Sequence, residues 1–232
     1  MAVFRKNLEQ IWRPPNFISF FKKYSKRKPL NIKKGNMIFY QGDQPDRLYF
    51  IKKGFVKMYR LSEEGKNTVI YLCGPGSMLG VRALTSEDKC LRHDAQALTD
   101  VEILTMTKNE YLDFISENPN FLTDLLKIFI ERLNITERKL EGFITTDATA
   151  RIANFILDIA NRFGERKNGK IIIPVPLTHQ LIAEFVGSVR ETATVALHEL
   201  EKNKILNIEK KQIKILDLKK LRTFSSLSKS IH

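Results

Sequence analysis

The 232-residue sequence predicts an α+β protein built from three parts in series: an N-terminal β-roll, a long dimerisation helix and a C-terminal winged helix-turn-helix. Three observations predict this fold class. Short β-rich runs separated by glycines fill residues 30–107, an apolar heptad pattern runs through residues 122–143, and two short apolar helices joined by a glycine lie within residues 177–200. A basic arm over residues 1–29 and a tail over residues 222–232 complete the predicted organisation.

The β-roll is predicted from four short β-rich runs. They cover residues 37–40, 48–52, 55–61 and 68–73, and turns at Gly42, Gly54, Gly65, Gly74 and Gly76 punctuate them. Strands spaced about 8 to 12 residues apart with such turns are typical of a small barrel or sandwich. We expect a closing strand pair at 94–98 and 101–107, so that the roll occupies residues 30–107.

A long helical region is predicted over residues 108–145. Residues that are apolar except for one threonine recur there at alternating spacings of four and three positions. They form a heptad seam that comprises Leu122, Leu126, Phe129, Leu133, Thr136, Leu140 and Phe143. A second apolar line on an adjacent face comprises Phe121, Leu125, Ile128 and Ile135. A helix with two apolar faces needs two partners, so we expect the roll on one face and the same helix of a second chain on the other. A helix buried within a monomer is the alternative.

The predicted winged helix-turn-helix covers residues 146–221. It begins with a helix whose buried face is Ile152, Phe155, Ile156 and Ile159, followed by a link over residues 166–170 and a strand at 171–173. Thr178 is the expected N-cap of the next helix, and its buried residues are Leu181, Ile182, Phe185 and Val186.

The second helix of the motif follows the turn at Gly187. We expect it to start at Ser188, with inward residues Val189, Ala193, Ala196 or Leu197, and Leu200. A hairpin of residues 205–208 and 212–216 then forms the wing, and Lys210 and Lys211 at its tip are suited to phosphate.

Composition excludes several classes of protein. With 43% hydrophobic and 28% charged residues the chain is globular and neither disordered nor fibrous. Charges interrupt every apolar run before the roughly 18 residues that a membrane span needs. Two cysteines, Cys73 and Cys90, exclude a disulfide framework and a cysteine-held iron–sulfur cluster, and the four histidines lack metal-ligand spacing. We expect no metal, no cofactor and an intracellular, cytoplasmic compartment.

The net charge of +13 is concentrated in residues 1–60 and 146–232, whereas residues 61–145 are acidic overall. A basic protein is attracted to nucleic acid or anionic lipid, and salt weakens the attraction. The alternative is codon bias, because Lys, Ile and Asn are all frequent, as in proteins of AT-rich genomes. Charge alone leaves both readings open.

The order of roll, long helix and winged helix-turn-helix resembles the Crp/Fnr family of transcription regulators. The residues that carry the resemblance are Gly42, Gly54, Gly65 and Gly76 at the roll turns and the run 186–192 at the second turn. Within the family the chain is most similar to the NtcA group of cyanobacterial nitrogen-control activators, through residues 79–81 with Arg92, residues 132–137, and residues 151–164 with 177–187. The resemblance implies a cyclic-nucleotide-binding-like jelly roll, a homodimer, an inverted-repeat DNA site, RNA polymerase as a partner and 2-oxoglutarate as effector. An AT-rich bias favours a plastid-encoded version acting in the plastid stroma.

The same resemblance implies an effector site made of Leu79, Gly80, Val81, Arg82, Arg92, Arg132 and Glu137. Cyclic-nucleotide-binding members place a glutamate where this chain has Val81, and losing that acceptor costs a buried ribose hydroxyl about 1 to 3 kcal/mol. Cyclic AMP is therefore disfavoured. Two guanidinium groups, those of Arg92 and Arg132, suit a dicarboxylate because each binds a carboxylate in bidentate fashion.

Each effector residue has an alternative role. Arg132 and Glu137 could instead form a solvated ion pair beside the seam. The hydroxyl of Thr136 could fix the register of the paired helices or contact a ligand, and Arg92 could serve the dimer interface. Arg82 departs from the family pattern, which has an apolar residue there. Another small anion, a cyclic nucleotide, or no ligand remain alternatives to 2-oxoglutarate.

The DNA-reading residues are expected on and around the second helix of the motif. Arg190 is the candidate for bidentate contact with guanine O6 and N7, and Glu191 for a cytosine amino group. Glu191 has an alternative role as the end of a capping box that starts at Ser188. Val195 stands where the family often has an arginine, so a contact is lost or a thymine methyl is contacted instead. The remaining phosphate or base-edge candidates are His179, Gln180, Ser188, Thr192 and Thr194.

The sequence favours a DNA-binding regulator over two other function classes. A ligand-binding module that acts on a protein partner would not need residues 146–221, and no phosphate loop, paired carboxylates or catalytic triad order indicates an enzyme. We expect half-sites containing G-T-G or G-T-A about one helical turn apart.

Overall fold

The computed structural model describes residues 27–225 except 45, 64 and 82–89. The described residues fall into two compact units, one ending at Glu131 and the other beginning at Arg132. The basic arm, apart from its last three residues, lies outside the described part of the chain, as do Arg82 and the last seven residues. Among the described residues no helix is long and apolar enough to cross a membrane.

The first unit is a roll whose strands are β1 Leu30–Ile32, β2 Met37–Phe39, β3 Arg47–Lys53, β4 Val56–Leu61, β5 Asn67–Cys73, β6 Met78–Leu79, β7 Asp94–Ala97 and β8 Val101–Thr107. They form two four-stranded antiparallel sheets, with strand orders β1-β8-β3-β6 and β2-β7-β4-β5. The four β-rich runs therefore form strands as predicted. The short strands β1 and β6 were not predicted from the sequence.

Both predicted closing strands form, as β7 and β8, but the prediction that they pair with each other is wrong. Strand β7 pairs with β2 and β4, whereas β8 pairs with β1 and β3, so the two lie in different sheets. The residues between them bind the turn after β3: Leu98 N–H donates to the carbonyl of Phe55 at 2.8 Å, and Phe55 N–H donates to Thr99 Oγ1 at 2.9 Å. Because Leu98 and Thr99 are hydrogen-bonded to the turn after β3, they do not form a hairpin turn between β7 and β8.

The apolar core of the roll has two parts. One lies between the sheets and includes Ile51, Val56 and Ile103, all fully buried. The other joins the sheet of β3 and β8 to the helices that follow, through Phe114, Phe121 and others. Burial of these apolar side chains is the main source of stability for such a unit.

Helix α1 (Lys108–Glu117) and helix α2 (Asn120–Thr145) replace the one continuous helical region that the sequence predicted. Thr107 and Glu110 form a capping box at the start of α1. The break falls at Asn118, whose φ of −133° and ψ of 67° are not helical. Pro119 explains it, because proline disfavours helical geometry in the residue before it and has no N–H to continue the hydrogen-bond ladder.

The second unit continues from the end of α2 into a winged helix-turn-helix. Its elements are α3 Ala148–Phe163, β9 Glu165–Lys167, β10 Lys170–Ile173, α4 His179–Val186, α5 Arg190–Lys202, β11 Leu206–Glu209, β12 Gln212–Ile215 and α6 Leu218–Ser225. The strands form one sheet with the order β11-β12-β10-β9. The four residues predicted on the inner face of α3 are all buried, and the wing hairpin is confirmed.

Two features of this unit differ from the prediction. The supposed link at 166–170 is part of the β9–β10 hairpin, closed by Asn168 and Gly169 at φ values of 50° and 74°. An Asn-Gly turn with both residues at positive φ matches the twist of a two-residue hairpin. Helix α6 was not predicted; it runs past residue 221, where the domain was expected to end, and its Leu221 is fully buried.

Candidate nucleic-acid interface and effector residues

The first helix of the motif, α4, forms as the sequence predicts. Thr178 is its N-cap and accepts a hydrogen bond from Leu181 N–H at 3.0 Å. Gly187 ends it in the left-handed conformation, with φ 65° and ψ 48°, which a side chain rarely adopts. The N–H of Ser188 donates to the carbonyl of Ala183 at 3.0 Å, which completes the helix end.

The second helix, α5, starts later than predicted. Its N-cap is Val189, which makes no side-chain cap, so Ser188 lies before the helix and the alternative role of Glu191 in a capping box is not realised. Val189 is 56% exposed, and its predicted inward position is therefore wrong. The reason is its extended backbone, φ −98° and ψ 157°, which takes the side chain off the helical face. The other inward residues are buried as predicted: Ala193, Ala196, Leu197 and Leu200.

The exposed face of α5 carries the residues that the sequence proposed for base contact. Arg190 and Glu191 are both exposed in its first turn, and Glu191 makes no contact there that closes a capping box. Val195 is 69% exposed, an apolar side chain open to solvent among polar ones. Thr192 and Thr194 are partly buried at the edge of this face, and Ser188 is partly buried before it.

His179 fastens α4 to α5 through Thr194. Its Nδ1 lies 2.9 Å from Thr194 Oγ1, and that hydroxyl donates its one proton to the carbonyl of Arg190 at 2.8 Å. With the hydroxyl proton donated to the Arg190 carbonyl, Nδ1 is the donor in the pair with Thr194, which corresponds to the tautomer protonated at Nδ1. Burial lowers the pKa of His179 below its usual value, and the positive charges of His198 and Arg190 act in the same direction.

Three further DNA-binding candidates lie at the edges of the motif. Gln180 is exposed on α4 and donates from Nε2 to Glu184 at 2.9 Å. At the wing tip, Lys210 and Lys211 have φ values of 50° and 69°, a two-residue turn that exposes both ammonium groups. These lysines lie where the sequence placed them.

The heptad seam of α2 is exposed along its length. The exposed fractions of its apolar residues are Leu122 48%, Leu126 58%, Phe129 40%, Leu133 56%, Leu140 63% and Phe143 43%. The adjacent line is buried at Phe121 and Leu125, which pack on the roll. The hydroxyl of Thr136 donates to the carbonyl of Arg132 at 2.9 Å, so it is satisfied within the helix. A contiguous apolar stripe of this kind marks an interaction surface.

Three effector candidates of the first unit, Leu79, Gly80 and Val81, lie at the end of β6. Leu79 and Val81 are 1% and 3% exposed, in apolar surroundings. Gly80 has a φ of +85°, and a Cβ there would lie 3.1 Å from the carbonyl oxygen of Arg47. Arg92 is exposed after the segment that lies outside the described residues and contains Arg82.

The remaining effector candidates belong to the second unit. Arg132 is partly buried and Glu137 is exposed, both on α2. Their position on the helix that carries the seam is what the sequence predicted.

Sequence reasoning missed a cluster where the end of α2 meets the helix-turn-helix. It borders a cavity of about 380 Å³. The Lys139 ammonium lies 3.6 Å from the centre of the Phe185 ring, and burial lowers the pKa of Lys139 to about 8, with Asp158 opposing the shift. The cavity is lined by Arg138, Lys139, Glu141, Gly142, Phe143, Thr145, Thr146, Arg151, Asn154, Phe155, Asp158, Phe185, Val186 and Ser225. One sequence signal points here: Phe143 is the last seam residue, directly before the second unit's own helices.

The family models that match this chain correspond to its two units. A cyclic nucleotide-binding domain matches residues 29–118, and a Crp-like helix-turn-helix domain matches residues 150–224. The chain belongs to the Crp/Fnr family. As a member of this family it is a DNA-binding transcription regulator, and the predicted fold class is confirmed.

Relatives within the Crp/Fnr family include regulators of two kinds. A global nitrogen regulator of Nostoc is 33% identical over 79% of this chain and 83% of its own length. A CRP-like cAMP-activated global transcriptional regulator of Mycobacterium tuberculosis is 29% identical over 84% of this chain and 86% of its own length. Among solved structures, a CRP/FNR-family regulator of Thermus thermophilus is 28% identical, with a TM-score of 0.69 over 86% of this chain and 99% of that one.

Proposed function

We propose that this Crp/Fnr regulator is a homodimeric nitrogen-control regulator whose binding to an inverted-repeat DNA site is promoted by 2-oxoglutarate. The observation that carries the proposal is Val81, a buried valine in an apolar cluster at the roll position where a cyclic nucleotide would need a carboxylate acceptor. Similarity to global nitrogen regulators of three cyanobacteria, at 31% to 33% identity, supports the same assignment as a nitrogen-control regulator.

The exposed seam supports the homodimer. Six large apolar side chains on one face of α2 would otherwise stand in water, and pairing with the same face of a second chain removes them from it. A dimer of this kind has a twofold axis, so its two copies of α5 read an inverted repeat. RNA polymerase is the further partner that a regulator of this type would contact.

Arg190 and Glu191 would read base edges from the start of α5. An arginine fork fits guanine O6 and N7, and a carboxylate accepts from the cytosine amino group. Exposed Val195 would contact a thymine methyl in the same groove. Lys210 and Lys211, together with Gln180 and Ser188, would hold the phosphate backbone, which sets register and carries no sequence information. His179 would support DNA binding indirectly, because its contact with Thr194 holds α4 against α5.

The effector would be a dicarboxylate held by guanidinium groups. Arg92 and Arg132 would each bind one carboxylate in bidentate fashion, and the backbone around Gly80 would complete the site. Glu137 would orient an arginine and not touch the anion. Ligand and DNA then favour the same dimer arrangement, and each raises the affinity for the other by the same coupling free energy, typically about 1 to 3 kcal/mol.

Fluorescence anisotropy with labelled operator DNA tests the proposal. The expected result is tight binding of an inverted G-T-G or G-T-A repeat, about fivefold to a hundredfold tighter with 2-oxoglutarate. A direct repeat and cyclic AMP serve as controls and should give no such gain. Leu133→Glu should abolish the dimer and the binding together. Equal affinity with and without 2-oxoglutarate would overturn the assignment of the effector, and preference for a direct repeat would overturn the twofold dimer.

A cyclic nucleotide is the second candidate effector. The cAMP-activated relative at 29% identity favours it, and Arg92 suits the cyclic phosphate. Buried Val81 disfavours it, because the ribose hydroxyl would lack an acceptor. Stimulation by cyclic AMP and not by 2-oxoglutarate, in the same titration, would decide for this alternative.

A further inference from the structure

The turn of the helix-turn-helix rests against an aromatic ring from the end of α2. A Cβ placed on Gly187 would lie 2.6 Å from Phe143 Cε1 and 2.9 Å from Phe143 Cζ. Carbon atoms do not approach so closely, so a side chain at 187 would have to displace the Phe143 ring, and the positive φ independently favours glycine there. Phe143 therefore contacts the backbone of the turn itself, three residues before α5 begins at Arg190.

Arg151 holds that ring in place. Its guanidinium carbon lies 5.4 Å from the centre of the Phe143 ring. Its Nε donates to the carbonyl of Val186 at 3.2 Å, and its Nη1 donates to the carbonyl of Thr146 at 3.0 Å. One side chain thus fastens the last residue of α4 to the segment that follows α2. Hydrogen bonds from a charged donor are stronger than neutral ones, so this connection is stiff.

A second contact runs parallel to the first. One turn earlier on α2, the Lys139 ammonium lies 3.6 Å from the centre of the Phe185 ring of α4. The end of α2 therefore meets the end of α4 at two successive turns, at Phe185 and at Gly187. Two contacts along one helix fix its direction as well as its position.

Phe143 is at the same time the last residue of the heptad seam. It remains 43% exposed while it contacts Gly187, so the ring presents a second surface to whatever covers the seam. Its matched counterpart is Phe129, 40% exposed and two heptads earlier in the same seam. Only one of these two phenylalanines touches the helix-turn-helix among its described contacts.

We propose that Phe143 is a positioning residue that sets the spacing of the two DNA-reading helices from the pairing of the α2 helices. This inference rests on the proposed dimer and goes beyond it. A change in how two α2 helices pair would move the ring, and the ring would move the turn at Gly187 and the start of α5. The dimer would then select operators by the distance between half-sites, with the contact of Phe143 and Gly187 passing the position of α2 to α5.

Operator selectivity tests the proposal, with Phe143→Leu as the variant and Phe129→Leu as its matched control. Binding is measured on inverted repeats whose central spacer is optimal, or longer or shorter by one and two base pairs. For the wild type and Phe129→Leu we expect one spacer to be preferred by about tenfold or more. For Phe143→Leu we expect that preference to fall to threefold or less, with the dimer intact by ultracentrifugation. Phe143→Tyr, which keeps the aromatic ring, should retain the wild-type preference for one spacer.

The outcomes separate the two proposals. Phe143→Leu that dimerises and still prefers one spacer as strongly as the wild type would overturn the positioning role while the proposed dimer stands. A wild type that does not dimerise would overturn the proposed function and this inference with it. A wild type that dimerises but binds all spacers equally would overturn this inference alone.

A double-mutant cycle with Gly187→Ala checks the contact independently of DNA. Alanine at 187 should lower the melting temperature by several degrees in the wild type and by clearly less in Phe143→Leu, since a smaller side chain leaves room for the Cβ. The backbone strain from positive φ is common to both backgrounds and cancels in the difference. Equal losses in the two backgrounds would show that the ring does not press on the turn, and the inference would fail.

Discussion

Replacing Lys139 by methionine should stabilise this protein at neutral pH, although it removes a charged group that contacts an aromatic ring. Burial lowers the pKa of Lys139 from 10.5 to about 8, so the folded state holds its proton less firmly than the unfolded state. At about 1.4 kcal/mol per pKa unit, the charged form destabilises the fold by at most about 3 kcal/mol at pH 7. The cation–π contact with the Phe185 ring offsets about 1 to 2 kcal/mol of this destabilisation. We expect Lys139→Met to gain about 1 to 2 kcal/mol, or about 2 to 8 °C in melting temperature.

The pH dependence of the gain distinguishes this cause from simple repacking. Below pH 8 the lysine is charged in both states and the full cost applies. Between pH 8 and 10.5 only the unfolded state holds the proton, so wild-type stability rises with pH and the advantage of methionine shrinks. The assay is urea denaturation at pH 7 and pH 10, at equal protein concentration.

The control for this experiment is Lys220→Met, which changes an exposed lysine of the same unit and should alter stability by less than about 0.5 kcal/mol at either pH. A Lys139→Met variant that is less stable than the wild type at pH 7 would refute the reasoning. So would a gain that is the same at pH 7 and pH 10.

Three further predictions follow from single sites. Gly54→Ala should destabilise the roll by about 3 kcal/mol or more in denaturation, because a Cβ there would lie 2.3 Å from the carbonyl oxygen of Asp100 at a φ of +87°; a loss below about 1 kcal/mol would contradict this. Burial depresses the pKa of His179 in the folded state, so the stability that this side chain contributes is complete above pH 6.5 and is lost as the pH falls through the folded-state pKa. The wild type should therefore lose more free energy of unfolding than His179→Gln between pH 7 and pH 5. Parallel plots of stability against pH for the two proteins would contradict this prediction. Changing Lys210 and Lys211 together to glutamine should weaken binding to all DNA sequences alike and reduce the slope of log affinity against log salt by about 2, and an unchanged slope would show that the wing does not contact phosphate.

Local sequence signals located most of the elements of this fold. The seam was readable because a helix places residues three and four apart on one face, whatever surrounds it. The helix α4 and its end were readable for a similar reason: Thr178 caps it through its own side chain, and Gly187 supplies the left-handed residue. Each of these features depends on atoms within a few residues of one another.

The predictions failed where contacts with distant residues, or the backbone geometry outside a helix, decide the outcome. The pairing of β7 and β8 was wrong because their connecting residues bind the corner at Phe55, about 40 positions earlier. Val189 was placed inward by spacing, yet its extended backbone exposes it before the helix begins. The short strands β1 and β6 and helix α6 carry too few residues for a periodic pattern, and their partners elsewhere in the fold define them.

The sequence by itself determined the order of the units, the exposed apolar stripe on α2 and the polar residues that α5 presents, because periodicity, glycine conformation and capping act over one or two turns of chain. Only the tertiary structure decided that Phe143 meets Gly187, that Lys139 lies over Phe185 and that His179 bonds Thr194. These pairs are separated by 15 to 46 positions, and their contact depends on how helices pack, which no local pattern encodes.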